Sequence, residues 1–202
     1  MVEKMNILVI SDIHNDVENI MAYSDKMVLL DFDVLIAIGD FTDYNVPKGF
    51  NKLDIGKLII EELKTFKKPI CEMLATQGAV YVATSSIGYP KDIQAKVKKA
   101  LGIKGPKFLL IHAPCPIAWR FQPQQTVKLA QLAVESGIWV LYEIENGILK
   151  INKEPKGIPV EGYLKLQGRF KHLTEKEIKV IQEHVNKDWQ KYKELQSAGV
   201  RI

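Results

Sequence analysis

Asn6-Ile-Leu-Val-Ile10 and Asp33-Val-Leu-Ile-Ala-Ile38 are short, continuous apolar runs, and Asp16 to Leu30 between them is long enough for a helix. An uninterrupted apolar run of this length is typical of a strand that is buried on both faces of a sheet. Two such strands joined through a helix form a βαβ unit, in which the strands are parallel. These residues therefore predict an α/β fold built on a mainly parallel sheet.

The strand and helix pattern continues through the rest of the chain. Gly78-Ala-Val-Tyr-Val-Ala83 and Lys107-Phe-Leu-Leu-Ile-His112 predict two more strands, and Pro90 to Leu101 predicts the helix between them. Gln124 to Ser136 predicts another helix, which is expected to end at Gly137 because glycine is the usual left-handed C-terminal cap. The second part of the chain is therefore also predicted to be α/β.

A hairpin and a long helix complete the predicted elements. Leu141–Glu145 and Ile148–Ile151 flank Asn146-Gly147, a residue pair typical of a two-residue hairpin turn. Thr174 and Glu177 fit a capping box at the start of the last helix. Apolar residues at helical spacing give that helix one face that is expected to dock on the core, namely Ile178, Ile181, Val185, Trp189 and Tyr192.

The composition is that of an ordinary globular chain. Of 202 residues, 47% are hydrophobic and 26% are charged, and the 28 Lys and Arg are spread along the sequence. Nucleic-acid binding would require a basic stripe with interleaved aromatic residues, so no nucleic-acid partner is expected. Met27–Ile38 is interrupted by Asp31 and Asp33 and is not expected to span a membrane. No export signal is recognised, and Cys71 and Cys115 are expected to be reduced, which favours the cytoplasm.

Two of the predicted strands end in residues that are suited to bind a metal ion. Asp12 and His14 follow the first strand, and Asp40 follows the second. Because the carboxyl ends of parallel strands meet at one edge of a sheet, these side chains are expected to lie close together. They suit Mn, Fe, Ni or Zn, and Asp40 could bridge a metal pair that activates water against a phosphoester. Alternatively, Asp12 and Asp40 cap the helices that follow, although capping does not account for His14.

Ser11-Asp-Ile-His-Asn-Asp16 and Ile38-Gly-Asp-Phe-Thr-Asp43 resemble the opening of calcineurin-like metallophosphoesterases, over about residues 5–66. The resemblance implies a divalent-metal-dependent phosphoesterase. In that family a third strand is followed by an Asn-His or Asn-Asp pair, whereas the corresponding stretch here reads Ile70-Cys-Glu-Met-Leu-Ala-Thr-Gln77. His112, which ends a predicted strand before Ala-Pro, resembles a later metal ligand of small phosphoesterases.

From about Lys68 onward, the sequence resembles the end of the β subunit of pyruvate and related 2-oxoacid:ferredoxin oxidoreductases. Five blocks in one order carry this resemblance: Tyr81-Val-Ala-Thr-Ser-Ser-Ile-Gly-Tyr-Pro90, His112–Phe121, Leu132–Trp139, Leu141–Gly147 and Tyr163–Thr174. The implied activity is that of a pyruvate synthase, an oxidoreductase that passes electrons to ferredoxin. Other oxidoreductase subunits and ferredoxin are the partners that the resemblance implies.

The same resemblance gives Cys115 the role of an iron–sulfur ligand. In this family the cysteine of the Ala-Pro-Cys-Pro turn looks like the fourth ligand of a [4Fe–4S] cluster close to thiamine diphosphate, and such clusters normally take four cysteines. The other three are not found here, so Cys115 is expected to be an orphan ligand or, alternatively, an inert buried cysteine. The Gly-Asp-Gly segment that would hold thiamine diphosphate is also absent, because the single Gly-Asp, Gly39-Asp40, is followed by Phe41.

These patterns together predict a chimeric or truncated chain. Residues 1–66 would be a metallophosphoesterase-like βαβ fragment, and residues 67–202 the C-terminal part of a 2-oxoacid:ferredoxin oxidoreductase β subunit. The expected fold is α/β, with mainly parallel sheet fragments, flanking helices, a β-hairpin and a long C-terminal helix. The chain is not expected to be active alone, and the alternative function is the metal-dependent phosphoesterase. Uncovered sheet edges and apolar faces should make it unstable or dependent on a partner.

Overall fold

The computed structural model describes residues 7–11, 34–38 and 69–199. The strands are β1 Ile7–Ser11, β2 Val34–Ile38, β3 Tyr81–Ser86, β4 Lys107–His112, β5 Leu141–Glu145 and β6 Ile148–Lys153. The helices of the described residues are α1 Ile70–Thr76, α2 Pro90–Gly102, α3 Pro116–Trp119, α4 Thr126–Glu135, α5 Val160–Lys165 and α6 Glu175–Ala198. Short 3-10 turns lie at Pro123–Gln125 and Gly168–Phe170.

The six strands form one mixed sheet in the order β1-β2-β4-β3-β5-β6. The first four strands in this order run parallel to one another, and β5 and β6 are antiparallel. The α/β class and the parallel pairing of the first two strands, both predicted from the sequence, are confirmed. β2 pairs with β4 from Val34 opposite Lys107 to Ile38 opposite Ile111. Strands from the two predicted segments therefore belong to one continuous sheet.

Side chains alternate between the two faces of the sheet, because successive residues of a strand point in opposite directions. On one face, Tyr81 and Ala83 of β3 and Leu109 of β4 pack against Ala100 of α2. On the other face, Val82 of β3 belongs to a larger core that α1 and α6 cover. The sheet thus lies between two layers of helices, as expected for strands that are apolar on both faces.

The long helix α6 connects two apolar clusters on its side of the sheet. Ile178 and Ile181 pack with residues of α3, α4 and α5, whereas Trp189 packs with residues of α1, β5 and β6. Val185 lies between them and contacts both clusters. The apolar face predicted for this helix is therefore confirmed, and it holds the two halves of the C-terminal part together.

The predicted caps and turns are also present. The backbone N–H of Glu177 donates to Thr174 Oγ1 at 3.3 Å, and the Thr174 N–H donates to Glu177 Oε2 at 2.7 Å, which completes the capping box of α6. Asn146 and Gly147 have φ values of 50° and 83°, as a type I′ hairpin turn requires. Gly137 lies just after the end of α4 and has a φ of 85°, which agrees with the predicted left-handed cap.

Two boundaries differ from the sequence-based prediction for local reasons. The strand expected at 78–83 lies at Tyr81–Ser86, because Gly78, with a φ of 95°, belongs to the turn that follows α1. The helix expected at 124–136 begins as a 3-10 turn at Pro123–Gln125 and becomes α-helical only from Thr126. Proline fixes φ and cannot donate a backbone hydrogen bond, so it favours such a first turn.

Helix α1 lies where a calcineurin-like phosphoesterase would need its third strand. Pro69 precedes this helix and its carbonyl oxygen accepts from the Met73 N–H at 2.8 Å. The metal ligands predicted for that function, Asp12, His14 and Asp40, lie outside the described residues. The structure therefore departs from the phosphoesterase pattern at the point where the sequence already lacked the expected Asn-His or Asn-Asp pair.

Candidate functional site

The Cys115 turn lies at the carboxyl edge of the parallel strands. Strand β4 ends at His112, and Cys115 precedes the four-residue helix α3 in an extended conformation, with φ −94° and ψ 113°. Its carbonyl oxygen accepts from the Trp119 N–H at 3.0 Å. Because Pro114 and Pro116 flank it, the backbone around the thiol has little freedom. Cys115 as a whole is half-buried, whereas Cys71 is buried.

An aromatic cluster surrounds His112 next to this turn. The centroid of the His112 ring lies 5.1 Å from that of Trp139, 5.6 Å from that of Trp119 and 6.5 Å from that of Tyr163. Trp139 is oriented by its indole N–H, which donates to the carbonyl oxygen of Ser85 at 2.8 Å. Cys115 packs against the same apolar cluster. The sequence blocks contain these aromatic residues, but their convergence on one histidine is visible only in the fold.

The segment after α5 covers the far side of Trp119. The Arg169 guanidinium carbon lies 3.9 Å from the centroid of the Trp119 ring, a distance typical of a cation–π contact. Arg169 Nε donates to Gln167 Oε1 at 2.9 Å, and the Gln167 amide donates to the Tyr163 carbonyl oxygen at 2.9 Å. Gln167 is fully buried. These contacts hold the Arg169 side chain over the outer side of the cluster.

Gly88 permits a close approach between the loop after β3 and helix α4. A Cβ atom at this position would lie 2.8 Å from the backbone nitrogen of Gln131, which is shorter than real Cβ contacts allow. The hydroxyl of Ser86, at the end of β3, donates to the Ala130 carbonyl oxygen at 3.3 Å in the same contact. The role of Gly88 was not predicted from the sequence, because it depends on Gln131, which is distant along the chain.

A buried ion pair supports the end of β3 from the opposite face. Lys96 of α2 is 1% exposed, and its ammonium group donates to the Thr84 carbonyl oxygen at 2.7 Å and to Asp92 at 2.9 Å. The Ser85 hydroxyl donates to Asp92 Oδ2 at 2.5 Å. Burial lowers the pKa of Lys96, and the Asp92 carboxylate partly opposes this effect. This hydrogen-bond network was not predicted, because a single lysine in a predicted helix is expected to lie at the protein surface.

Cys71 occupies a different environment from Cys115. It is 1% exposed within α1 and belongs to the core cluster that includes Tyr142. Burial raises the pKa of the Cys71 thiol to about 12, and the nearby Glu72 carboxylate contributes to the increase. A thiol in this state is not a nucleophile or a ready metal ligand, since both roles need the thiolate. Cys71 therefore does not provide a second ligand beside Cys115.

The described residues do not fit a complete metal or cofactor site within this chain. Among residues 69–199, no three His, Cys, Asp or Glu side chains converge as a metal site would require. The chain has two cysteines, and the buried one is excluded, so a four-cysteine [4Fe–4S] cluster cannot be bound by this chain alone. The Gly-Asp-Gly segment expected for thiamine diphosphate is likewise missing. The divalent-metal ligands Asp12, His14, Asp40 and His112 stay a prediction.

The chain is similar in sequence to β-type subunits of archaeal and bacterial oxidoreductases. It is 47% identical to the pyruvate synthase subunit PorB of Methanocaldococcus jannaschii over 59% of this chain and 41% of that subunit. It is 43% identical to the ketoisovalerate oxidoreductase subunit VorB of Pyrococcus abyssi over 65% of this chain and 43% of the subunit. The pyruvate synthase subunit PorB of Thermotoga maritima is 36% identical over 81% of this chain and 53% of the subunit.

The extent of these similarities bears on the phosphoesterase resemblance. Residues 67–202 make up about two-thirds of the chain, so the 81% covered in the Thermotoga comparison also includes residues of the first segment. No protein-family model matches the chain. The resemblance of the first third to calcineurin-like metallophosphoesterases is therefore not supported. The chain spans about two-fifths to one-half of the length of the curated relatives it matches.

Four of the five sequence blocks that resemble the oxidoreductase β subunit meet at one place in the fold. Blocks Tyr81–Pro90, His112–Phe121, Leu132–Trp139 and Tyr163–Thr174 supply the end of β3, the Cys115 turn and the aromatic cluster. Within residues 69–199, no helix combines the length and the apolar character that a membrane-spanning segment needs. The C-terminal part of this chain thus resembles the PorB and VorB subunits of 2-oxoacid:ferredoxin oxidoreductases.

Proposed function

We propose that this chain is a β-type component of a pyruvate or related 2-oxoacid:ferredoxin oxidoreductase and acts in a complex with other subunits. The observation that carries the proposal is the 36–47% identity to subunits named for pyruvate synthase and ketoisovalerate oxidoreductase. Those names describe subunits of larger enzymes. A chain that matches about half of one such subunit is therefore expected to act within an assembly.

The geometry at the carboxyl edge of the sheet supports this function. Ligands of open parallel sheets bind at that edge, and the Cys115 turn and the aromatic cluster lie there. In an assembled enzyme, thiamine diphosphate would supply the carbanion-stabilising chemistry of 2-oxoacid cleavage, and iron–sulfur clusters would carry electrons. Cys115 would supply one thiolate from a rigid turn. His112, Trp119 and Trp139 would exclude water from the side of the turn that faces the core.

The chain is proposed to be inactive by itself, because the remaining ligands and the diphosphate-binding segment are absent from its sequence. Ferredoxin as the electron acceptor and pyruvate or a branched 2-oxoacid as the substrate belong to the same proposal. Which 2-oxoacid is used depends on the residues that contact the substrate. A comparison of the activities with pyruvate and with 2-oxoisovalerate identifies the substrate.

The test is an affinity purification of the full chain from the organism that encodes it. We expect mass spectrometry to identify other oxidoreductase subunits in the purified complex. The complex should reduce ferredoxin or methyl viologen in the presence of coenzyme A and either pyruvate or 2-oxoisovalerate, whereas the chain produced alone should not. Cys115→Ser should abolish this activity in the complex, and Cys71→Ser should leave most of it. Recovery of the chain without any oxidoreductase subunit would exclude the proposed function.

A further inference from the structure

A groove lies between helix α6 and the segment that joins β6 to α5. Its volume is about 410 Å³, and we refer to it as the α6 groove. Residues 155–159 line one side, residues 182–193 of α6 line the other, and Ser136, the residue after α4, also contributes to the lining. A volume of this size is in the range of known ligand-binding sites. The α6 groove is therefore large enough to hold part of another molecule.

The α6 groove lies at the carboxyl edge of the parallel strands. Strand β5 is antiparallel to β3, and β6 is antiparallel to β5, so β6 runs in the same direction as β3. The segment that leaves the end of β6 is consequently at the edge where β3 also ends. The Lys156 backbone N–H donates to the Glu135 carbonyl oxygen at 3.0 Å and holds this segment against α4. Ligands of open parallel sheets bind at this edge.

The hydrogen bonds of Gln182 determine which atom of the Asn186 amide remains available. Gln182 Oε1 accepts from the Val160 backbone N–H at 2.9 Å, and a backbone N–H can only donate. The Gln182 amide nitrogen is therefore the atom that donates to Asn186 Oδ1 at 3.1 Å. Asn186 Nδ2 is left as a donor, and no hydrogen bond among the described residues occupies it.

Gln190 presents the complementary atom one helical turn after Asn186. Its Nε2 donates to Glu194 Oε1 at 2.9 Å, so its own Oε1 is left as an acceptor. Residues four apart lie on the same side of a helix, and both side chains line the α6 groove. An extended peptide offers a matching pair, because the N–H and the C=O of one residue point to the same side of a strand.

The rest of the lining suits the side chains of such a peptide. Val185, Trp189 and Ile158 supply the apolar part of the α6 groove. Lys193 lies at its end, and the Lys193 ammonium is 3.9 Å from the Glu154 carboxylate. Both of these side chains are more than half exposed, and exposed pairs at such a distance contribute little. Lys193 can therefore exchange Glu154 for a carboxylate of the bound peptide.

We propose that the α6 groove binds an extended peptide segment of another subunit of the same oxidoreductase, one that carries an apolar side chain close to an acidic residue. The inference rests on the proposed function and names the chemistry of the partner and the contact. Asn186 Nδ2 donates to a peptide carbonyl oxygen, and Gln190 Oε1 accepts from a peptide N–H. The apolar side chain packs on Trp189, and the carboxylate pairs with Lys193. Backbone hydrogen bonds give such a site its affinity, and the side-chain contacts give it specificity.

The test probes an array of short overlapping peptides with the full chain. The peptides cover the oxidoreductase subunits that are recovered with the tagged chain, and a second set covers residues 12–33 and 39–68 of this chain. We expect binding to subunit peptides in which an apolar residue lies near Asp or Glu. Fluorescence anisotropy with the best of these peptides then gives the dissociation constant in solution.

Matched substitutions locate the binding site. Asn186→Asp keeps the oxygen that accepts from Gln182 but removes the donor, so it is expected to weaken binding about tenfold. Gln190→Met removes the acceptor and should weaken binding about fivefold. The control is Gln94→Glu, which adds the same charge at an exposed position of α2, on the other face of the sheet, and should change the affinity less than about twofold.

The outcomes separate this inference from the proposed function. If oxidoreductase subunits are recovered but none of their peptides binds, the inference is overturned while the proposed function stands. Equal effects of Asn186→Asp and Gln94→Glu would also overturn it. Binding only to the peptides of this chain, or a dimer of the chain that Asn186→Asp dissociates, would overturn the assignment of the partner. If no oxidoreductase subunit is recovered, the proposed function and the inference fall together.

Discussion

At the scale of single residues, Gly137 is the position where the backbone and the packing make the strictest demand. It has a φ of 85°, and a Cβ atom there would lie 2.4 Å from Trp189 Nε1 and 2.7 Å from Trp189 Cδ1. The Trp189 indole N–H donates to the Gly137 carbonyl oxygen at 3.0 Å. Helix α6 therefore contacts the end of α4 through Gly137 and Trp189, and a larger residue at position 137 would collide with the indole ring in its present place.

Gly137→Ala is predicted to reduce the free energy of unfolding by about 3 kcal/mol, because left-handed strain and overpacking add. Gly157→Ala is the matched control, since Gly157 also has a positive φ, of 71°, but has no atom within 4 Å of a Cβ. Its expected cost is the strain alone, about 1 kcal/mol. Urea denaturation of both variants measures the difference. Equal costs would show that Trp189 moves aside without loss.

Individual residues also differ in whether their structural role could be predicted from the sequence. Gly137 was predicted because a helix pattern ends there, and a glycine after a helix has one common role. Gly88 and Lys96 were not, since their roles depend on neighbours that are distant in sequence, Gln131 for Gly88 and the Thr84 carbonyl oxygen for Lys96. For Cys115, the family resemblance suggested a role that its position and accessibility permit and that remains a proposal.

At the scale of secondary structure elements, the ion pair of Lys96 and Asp92 lies within α2. It joins this helix to β3 through hydrogen bonds with the Thr84 carbonyl oxygen and the Ser85 hydroxyl. Lys96→Met is predicted to destabilise the chain by about 3 kcal/mol, because it leaves the Asp92 carboxylate and the Thr84 carbonyl oxygen without their buried partner. Replacing both residues, Lys96→Met with Asp92→Asn, should recover more than half of this loss. The measurement is a double-mutant cycle in urea. Additive losses would mean that the two side chains do not act as a pair.

A second element contact, between α2 and β5, should make stability depend on pH. Burial raises the pKa of Glu143, but hydrogen bonds from Lys99 at 2.5 Å and from Asn152 at 2.8 Å outweigh it, so the pKa lies below its ordinary value of 4.5. A carboxyl group whose pKa is lower in the folded state stabilises the fold above its ordinary pKa. This contribution is lost as the pH falls through the lowered pKa.

Glu143→Gln should therefore lower the melting temperature near neutral pH and make it less sensitive to acid than in the unsubstituted chain. Thermal melts at a series of pH values from 7 down to about 3 cover the range in which a carboxyl group with a lowered pKa is titrated. Glu161→Gln is the control, because the ion pair of Glu161 with Lys165 is exposed and such pairs contribute little. The same acid sensitivity in the Glu143→Gln variant and the unsubstituted chain would refute the assignment.

Helices and strands were predicted correctly where the sequence pattern involved neighbouring residues and extended over many positions. Helix α6, its cap and the β5–β6 hairpin follow from residues within a few positions of one another, and all are present. The order of the strands could not be predicted from the sequence. The position of β3 between β4 and β5 depends on packing between residues that are far apart in the chain. The aromatic cluster around His112 was missed for the same reason, since it draws residues from β4, α3, α5 and the segment before β5.

At the scale of the whole molecule, the pairing of β2 with β4 is the feature that decides whether residues 1–66 and 67–202 are independent. The sequence suggested two segments of different origin, and the boundary between them stays a prediction. The fold pairs β1 with β2 and β2 with β4, each in parallel register over five residue pairs. A sheet that continues across the boundary couples the two segments energetically, because neither can lose its strands without exposing the edge of the other.

Deleting residues 1–66 tests this coupling directly. The deletion removes β1 and β2 and turns β4 into an edge strand, so we expect a lower melting temperature, more aggregation and faster amide exchange in β4. The hairpin of β5 and β6 lies at the other side of the sheet and is the internal control, since its amide exchange should change much less. A shortened chain with an unchanged melting temperature and a protected β4 would show that the first segment adds nothing to the fold of the second. The C-terminal part would then be a complete folding unit.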